Sequence, residues 1–413
     1  MVLDKTFVVL GLRPWNQNNP SEIEILARNI AQENRVLYVN PPLDCADLID
    51  LSSREQLFSS PCNQCEHKAI RCVSNQLWVL DAPIILTQLM GYLPDKAFDF
   101  VNRCNNRRLA KAILWASRSL GLHPQWLINA SCMFSGYYLP DMLGVDYSVY
   151  MRVEQVERDS VSLVEHSERL EMQLASRYDA VVACSELLCG CFRSINCNTF
   201  NIGHGFDLEN CSIGSQREIP QGMDKIVKPI VGFVGDIYEP SFSMSLIKYV
   251  ALMLPEVAVL LVDTSADAHT HKSFSLFDNI HVVRCEHHAA HYISLMDIFI
   301  NPQNKEQASS SYYPQNVMRA LALGKIVVST STRAIECLRY NTLIADGFRQ
   351  FVEYVELALG YASNSELVKR LSEFASLHSW EMVCQRFYGV VDLLGQQEYK
   401  DETLKCELEG VPS

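Results

Sequence analysis

The run Pro229-Ile-Val-Gly-Phe-Val-Gly-Asp236 is a continuous apolar segment that ends in glycine, and a helical pattern follows it from Ser243. A short apolar strand followed by a helix is half of a βαβ unit, from which parallel sheets are built. Gly235, at the strand tip, would let backbone N–H groups approach a diphosphate beside a helix start. A tight strand-to-helix turn requires the same glycine, so both interpretations stay open here.

Short apolar runs and longer helical patterns alternate through the whole chain, which predicts the α/β class. At 413 residues the chain exceeds the roughly 250–300 residues of a single core, so two domains are expected. We predict two Rossmann-like lobes facing a cleft, at 1–205 and 229–375, with a linker at 206–228 and an insertion near 45–70. The predicted strands are 7–12, 35–40, 76–81, 125–130, 147–153, 180–184 and 199–202, then 229–234, 257–263, 280–285, 298–301, 326–329 and 342–345.

The net charge argues against nucleic acid as a partner, and the hydropathy argues against export or a membrane span. The formal net charge of −13 argues against nucleic acid, because phosphate-backbone binders concentrate Lys and Arg on one face. The apolar run 7–12 is too short for a secretory signal or for a membrane span of about 20 residues. We therefore expect a cytoplasmic protein.

The segment Cys62-x-x-Cys65-x-His67-x4-Cys72 contains residue types that bind zinc. Its spacing matches no familiar zinc finger, and a loop that happens to carry cysteines is the simpler interpretation. We expect no metal site in the protein, with zinc at these four residues as the alternative.

The segment from Pro314 to Val328 predicts a helix with proline in its first turn and Gly324 after its end, followed by a buried strand. The start of this helix, at Asn316 and Val317, would point at the mouth of the sheet. The preceding loop is rich in serine and ends at Tyr313, which suits hydrogen bonding to a sugar or a ribose. A solvated loop would have the same composition.

The segment Asn201-Ile-Gly-His-Gly-Phe-Asp207 closes the first lobe and opens the linker, so it places His204 near the expected cleft. A histidine there can donate to a phosphate or a sugar hydroxyl, or titrate near neutral pH.

Three segments in this order resemble the retaining GT-B glycosyltransferases: His204-Gly-Phe-Asp207, the strand that ends at Gly235, and Pro314 to Val328. More narrowly, the chain resembles the bacterial branch that assembles cell-surface polysaccharides, of the teichuronic-acid type. Leu12-Arg-Pro-Trp15, Val36-Leu-Tyr-Val-Asn-Pro-Pro42, Ser148 to Glu154, Leu174 to Ser185 and the helix around His378-Ser-Trp380 extend the resemblance to nearly the whole chain.

The resemblance implies a nucleotide diphosphate sugar held by the second lobe, a surface-glycan or lipid-linked acceptor held by the first, and retention without a metal or another cofactor. It also implies that a terminal helix, within 376–413 and followed by a flexible tail, crosses back toward the first lobe. The residues it assigns to the donor are Gly235, Tyr313, Pro314, Asn316, Val317 and Arg319. On the other side, His204 would lie near the transferred sugar, while Arg13, Asn16 and Glu154 would face the acceptor, His204 and Glu154 as the catalytic pair.

One departure from the family concerns two glutamates that lie eight residues apart around the Pro314 helix, whose positions are Ser311 and Arg319 in this chain. Arg319 cannot replace a ribose-binding carboxylate, because guanidinium only donates hydrogen bonds, but it can pair with phosphate. Two alternatives therefore stay open. One is a GT-B binding subunit without activity, and the other is a nucleotide-sugar epimerase or hydrolase that uses His204 and Glu154.

The strongest basic cluster of the first lobe lies on one long helical pattern and comprises Arg103, Arg107, Arg108, Lys111 and Arg118, beside Ile113, Leu114 and Trp115. This composition suits peripheral contact with anionic lipid or with a lipid-linked acceptor. A solvated helix face is the alternative.

Overall fold

The structure is a computed structural model, which describes residues 4–16, 20–44, 69–86, 94–130, 132–152, 161–206, 226–227, 229–265, 274, 276–285, 289–307 and 314–409. The chain divides into two compact units. Unit 1 comprises Met1–His204 and Val383–Ser413, and unit 2 comprises Gly205–Met382. Each unit contains a largely parallel sheet whose strands alternate with helices, which confirms the predicted α/β class.

The larger sheet of unit 1 has eight strands. They are β1 (Thr6–Leu10), β2 (Arg35–Val39), β4 (Ile70–Ser74), β5 (Leu77–Leu80), β7 (Trp126–Ala130), β8 (Tyr147–Arg152), β9 (Ala180–Ala183) and β10 (Thr199–Asn201), while β3 (Leu43–Asp44) and β6 (Ile85–Leu86) form a separate pair. The order is β10-β9-β8-β7-β1-β2-β5-β4, with β4 antiparallel to β5 and the other described pairs parallel. The helices are α1 (Glu22–Ile30), α2 (Asp95–Ser119), α3 (Leu139–Leu143), α4 (Val161–Arg177) and α5 (Glu186–Phe192).

The sheet of unit 2 has six parallel strands in the order β13-β12-β11-β14-β15-β16. These are β11 (Ile230–Gly235), β12 (Ala258–Asp263), β13 (Ile280–Arg284), β14 (Ile298–Asn301), β15 (Ile326–Thr330) and β16 (Leu343–Ala345). The helices are α6 (Met244–Met253), α7 (Ala289–Leu295), α8 (Gln315–Ala322), α9 (Arg333–Glu336), α10 (Phe348–Tyr361) and α11 (Ser365–Ser376). A last helix, α12 (Trp380–Glu409), begins in unit 2 and belongs to unit 1 from Val383 onward.

Strands β1, β7, β12 and β14 are buried along their whole length, which explains why they read as continuous apolar runs in the sequence. Strand β4 was not predicted. It is an edge strand with the sequence Ile-Arg-Cys-Val-Ser and none of its residues is fully buried. No apolar run therefore distinguishes this strand from the polar residues beside it in the sequence.

Ser21 is the N-cap of helix α1, and a buried carboxylate fixes that start. The Glu24 side chain is 1% exposed and accepts hydrogen bonds from the Ser21 hydroxyl at 2.9 Å and from the Asn16 backbone N–H at 2.9 Å. The second bond joins the loop after β1 to the first turn of the helix. One side chain thus holds both the helix start and the loop at the carboxyl end of β1.

Substitution of Gly324 by alanine is expected to destabilise unit 2 through two separate effects. Gly324 has a φ of 68°, and an added Cβ would lie 2.4 Å from Cγ1 of Val368 in α11. The matched control is Gly121→Ala after α2, because Gly121 has a φ of 65° but no atom within 4 Å of an added Cβ. Left-handed strain should cost about 1–2 kcal/mol in both variants.

The clash at Gly324 should cost about 1–3 kcal/mol more. Scanning calorimetry of the two variants measures this difference. Equal losses of unfolding free energy would contradict the close packing of α8 against α11.

Candidate functional site

The carboxyl edge of the unit 2 sheet contains a pocket of ≈ 190 Å³ at the place where the strand order reverses, between β11 and β14. Strands on either side of such a reversal send their following segments to opposite faces, which leaves a crevice outside their carboxyl ends. The pocket is lined by the ends of β11 and β14, the start of α8 and the segments after β12 and β15. The lining residues are Phe233, Val234, Gly235, Asp236, Glu239, Thr264, Phe299, Asn301, Gln303, Pro314, Gln315, Asn316, Val317, Thr332, Ala334 and Ile335.

The first turn of α8 forms one wall of this pocket. Pro314 precedes the helix, and the first intrahelical hydrogen bond runs from Met318 N–H to the Pro314 carbonyl at 3.1 Å. The N–H groups of the three residues before Met318 therefore precede the helical ladder, and the positive end of the helix dipole lies with them. Such a helix start is suited to bind an anion.

Asn316 fixes this helix start to the neighbouring strand. Its side-chain Nδ2 donates to the carbonyl of Val234 in β11 at 2.9 Å, and its Oδ1 accepts from Nη1 of Arg319 at 2.7 Å. Arg319 is not among the residues that line the pocket, but its guanidinium contacts the lining residue Asn316.

Gly235 leaves the strand tip free of a side chain. An added Cβ would lie 2.5 Å from Cζ of Phe233, so a larger residue would clash with this ring. The Phe233 ring also packs on Phe242, with centroids 5.1 Å apart. Both interpretations of this glycine are therefore compatible with its place, because it lines the pocket and also makes room for an aromatic ring.

Hydrogen bonds between two loops support the floor of the pocket. Phe242, in the segment after β11, forms an antiparallel bridge with Gln303 after β14. The Thr330 hydroxyl donates to the Gln303 carbonyl at 2.8 Å and accepts from the Gln303 N–H at 3.0 Å. Asn301, which is buried, donates to the Ser329 hydroxyl at 3.0 Å. The segments after β11 and β14 and the end of β15 thus form one connected network.

The charge of this pocket differs from that of a basic phosphate site. Among the described lining residues, the charged side chains are Asp236 and Glu239. Asp236 accepts from the Tyr238 N–H at 2.8 Å. An anion bound against α8 would interact with backbone N–H groups, the helix dipole and neutral side chains.

In unit 1, Arg13 and Asn16 lie together on the exposed loop that follows β1. The loop is fixed from three sides. Tyr38 donates from its hydroxyl to the Arg13 carbonyl at 3.2 Å, the Trp15 N–H donates to Asn40 Oδ1 at 2.8 Å, and Asn16 is held by Glu24 as described above. Burial raises the pKa of the Tyr38 hydroxyl well above its usual value, so it remains a hydrogen-bond donor. The loop presents both predicted side chains on a fixed backbone.

His204 lies in unit 1 with its side chain 7% exposed, and its Nδ1 is 3.3 Å from Oε1 of Glu22 in the first turn of α1. The sequence did not predict this partner, which is 182 residues away in the chain. A carboxylate at Nδ1 orients the imidazole ring.

The end of β8 carries a buried cluster. Nε of Arg152 is 3.0 Å from Oε1 of Glu171 in α4, and the Tyr150 hydroxyl donates to the same oxygen at 2.7 Å. Burial and the adjacent Glu171 carboxylate raise the pKa of Tyr150 well above its usual range. The catalytic candidate Glu154, two residues beyond Arg152, lies outside the described residues, and so does the donor candidate Tyr313.

The sequence missed several polar residues of the unit 2 pocket, notably Thr264, Gln303 and Thr332. Each follows directly or closely after a buried strand, and that position was the available signal. No group of three or more His, Cys, Asp or Glu side chains that could hold a metal ion occurs in the described part of the chain. Cys62, Cys65 and His67 lie outside that part, while Cys72 is exposed in β4.

Two Rossmann-like units, each with a parallel sheet whose strand order reverses once, are the architecture of the GT-B class, and this chain has that fold. No protein-family model matches the sequence. The chain is 26% identical over 209 residues to the protein named teichuronic acid biosynthesis glycosyltransferase TuaH of Bacillus subtilis (strain 168). This region covers 48% of the chain and 51% of the relative, so the chain matches about half the length of that protein.

Solved structures extend the likeness of fold to nearly the whole chain. Trehalose 6-phosphate synthase from Burkholderia multivorans matches 96% of this chain and 100% of its own, with a TM-score of 0.63 and 10% identity. Anabaena HepE in complex with UDP matches 94% and 100%, with a TM-score of 0.60 and 12% identity. Sucrose-phosphate synthase from Thermosynechococcus elongatus matches 95% and 100%, with a TM-score of 0.57 and 13% identity. The predicted GT-B fold is thereby confirmed.

None of the helices in the described residues combines the length and the apolar composition that crossing a membrane requires.

Removing the charge of Glu171 is expected to destabilise unit 1 strongly. Arg152 and Glu171 are 5% and 9% exposed, so Glu171→Gln leaves a buried guanidinium without its counter-charge, at a cost of about 3–5 kcal/mol. Asp141→Asn is the control, because the Arg177–Asp141 pair is largely exposed and should contribute less than about 1 kcal/mol. Urea unfolding of both variants measures the losses, and similar losses would contradict the structural role of the buried pair.

Proposed function

We propose that this protein is a glycosyltransferase that moves a sugar from a nucleotide diphosphate sugar to a glycan or lipid-linked acceptor. The observation that carries the proposal is the pocket at the strand reversal of unit 2. It brings together Gly235, Pro314, Asn316 and Val317, which were assigned to the donor from sequence. Complexes of the structural neighbour HepE with UDP and with UDP-glucose support a donor of this class.

The donor would lie with its diphosphate at the start of α8. As the bond from the anomeric carbon to the diphosphate oxygen breaks, negative charge develops on the leaving group, and the backbone N–H groups of α8 stabilise it. The acceptor hydroxyl oxygen bonds to the same face of that carbon, and its proton passes to the departing diphosphate. This retaining reaction requires no metal and no resident cofactor, because the helix start takes the place of a cation.

The acceptor would bind to unit 1, where the loop after β1 presents Arg13 and Asn16 on a backbone fixed by Glu24 and Tyr38. His204, oriented by Glu22, would contact the transferred sugar, and Glu154 would accept the proton of the acceptor hydroxyl and pass it on to the diphosphate. A surface glycan or its lipid-linked precursor is the acceptor class that similarity to a teichuronic acid biosynthesis protein favours.

Arg319 is a positioning residue in this proposal. It stands where the family has a ribose-binding glutamate, and its hydrogen bond to Oδ1 turns the Asn316 amide so that Nδ2 can bond the Val234 carbonyl. The guanidinium thereby fixes the helix start against β11 and supplies positive charge close to the diphosphate.

Binding of the donor should depend on Asn316. We expect UDP or another nucleoside diphosphate to raise the melting temperature, since a ligand at about 100 times its dissociation constant adds about 2.7 kcal/mol of stability. Asn316→Ala should weaken binding about tenfold, the effect of about one hydrogen bond to a charged group. Asn364→Ala is the matched control, because Asn364 caps α11 in the same unit, accepts from the Leu367 N–H at 3.0 Å and does not line the pocket.

The control should lose about 1 kcal/mol of unfolding free energy and keep its nucleotide affinity. Arg319→Ala should weaken nucleotide binding in the same way as Asn316→Ala, with Arg370→Ala as its exposed control. The donor site would be refuted if a nucleotide bound Asn316→Ala and Arg319→Ala as tightly as it binds the two controls. It would also be refuted if no nucleoside diphosphate or nucleotide sugar in a panel raised the melting temperature.

Product analysis separates the transferase from its two alternatives. A transferase releases nucleoside diphosphate in proportion to sugar transferred to an acceptor. Binding without release in the presence of acceptors identifies a binding subunit. Conversion of the donor without acceptor, to an epimeric sugar or to free sugar, identifies an epimerase or a hydrolase.

A further inference from the structure

One face of α2 concentrates positive charge in a chain whose net charge is −13. Seven residues of this helix follow one another at spacings of three or four. They are Lys96, Phe100, Arg103, Arg107, Lys111, Leu114 and Arg118. This set is called the α2 basic face. Successive positions at these spacings fall on one side of a helix, so seven residues form a strip about 33 Å long at about 1.5 Å per residue.

The strip is open to solvent. Its five basic residues are exposed, Phe100 is 70% exposed and Leu114 is partly exposed, while the opposite side of α2 packs in the core of unit 1 through residues such as Phe98, Leu109 and Ile113. An exposed phenylalanine within a row of cations is the composition of a helix that lies in the headgroup region of a membrane.

The positive charge of the strip is not neutralised by neighbouring acids. The carboxylates at the start of the helix, Asp95 and Asp99, pair with Arg169 of α4 at 3.7 and 3.0 Å instead of with the cations of the strip. No salt bridge joins the five cations to a carboxylate within the described residues. Of these five cations in the described residues, Arg103 contacts an aromatic ring. Its guanidinium carbon lies 5.9 Å from the centroid of the Tyr138 ring.

We infer that the α2 basic face docks the protein on an anionic lipid bilayer. Five cations in a row complement a negatively charged surface, and Phe100 can enter the boundary between headgroups and acyl chains. Acidic residues elsewhere do not prevent this contact, because charges more than about 10 Å from the surface are largely screened at 0.1 M salt. A soluble anionic polymer would use the cations but has no place for Phe100.

Docking through α2 also places the acceptor edge of unit 1 near the membrane. Phe98 packs on Phe134, with centroids 5.8 Å apart, and Asn106 Nδ2 donates to the Phe134 carbonyl at 2.9 Å. Phe134 follows β7, the neighbour of β1, so the first half of α2 lies at the carboxyl edge that also carries Arg13 and Asn16. The delivery of a lipid-linked acceptor to this edge rests on the proposed function, whereas docking itself is measured without any transfer reaction.

The test is cosedimentation of the full chain with vesicles of phosphatidylglycerol and phosphatidylcholine, compared with vesicles of phosphatidylcholine alone. The protein should bind the anionic vesicles and dissociate from them as salt is added. Each basic residue near an anionic surface contributes about a fivefold factor to partitioning, so Arg107→Gln, Lys111→Gln and Arg118→Gln together should weaken binding about a hundredfold. Phe100→Ser should remove the part of the binding that persists at high salt.

The matched control replaces three exposed basic residues of unit 2, Arg349, Lys369 and Arg370, by glutamine, with the same change in net charge. It should bind anionic vesicles as the parent chain does. Equal binding of the two triple variants would overturn the inference, and so would binding to phosphatidylcholine alone. Binding to a soluble anionic polysaccharide without binding to vesicles would identify a glycan surface instead. Nucleotide binding by the α2 variants should be unchanged, so failure of docking is distinguishable from failure of the donor site.

Discussion

A parallel sheet whose strand order reverses once has two neighbouring strands whose crossovers leave toward opposite faces. No connection covers the carboxyl ends at that point, and right-handed crossovers on both sides keep it open. In unit 2 the reversal lies between β11 and β14, and in unit 1 it lies between β1 and β7. Both candidate sites of this protein occupy these two places. The chemistry at each site depends on how the chain keeps the loops there rigid.

The two units fix those loops with buried polar side chains. In unit 2, Asn316 joins a helix start to a strand end, and Thr330 bonds both polar groups of the Gln303 backbone. In unit 1, Glu24 is almost fully buried and bonds the loop that carries Asn16. A buried carboxylate or amide is stable only when its hydrogen bonds are made, so these residues tolerate few positions of the loop. The strict geometry of these bonds holds the site residues in place.

The buried parallel strands and the start of α8 were predictable because they depend on neighbours in the sequence. A buried parallel strand is an apolar run, and Pro314 with Gly324 marks the two ends of a helix. The polar lining of the pocket was not predictable, because Thr264, Gln303 and Thr332 look like any polar residue after a strand. These three residues lie at the same edge of the sheet, but this can be seen only when the strand order is known. The partnership of His204 with Glu22 and that of Asn316 with Val234 likewise depend on the folded chain.

The low charge of the unit 2 pocket bears on the exit of product. A diphosphate bound to lysine or arginine side chains must break ion pairs in a partly desolvated place before it leaves, and product release limits turnover in many enzymes. In the described lining of this pocket the charged groups are two carboxylates, and the groups that can contact phosphate are backbone amides and neutral side chains. In the proposed reaction, Asp236 and Glu239 would repel a departing nucleoside diphosphate. The spent donor of that reaction would therefore leave without breaking ion pairs to basic side chains of the lining.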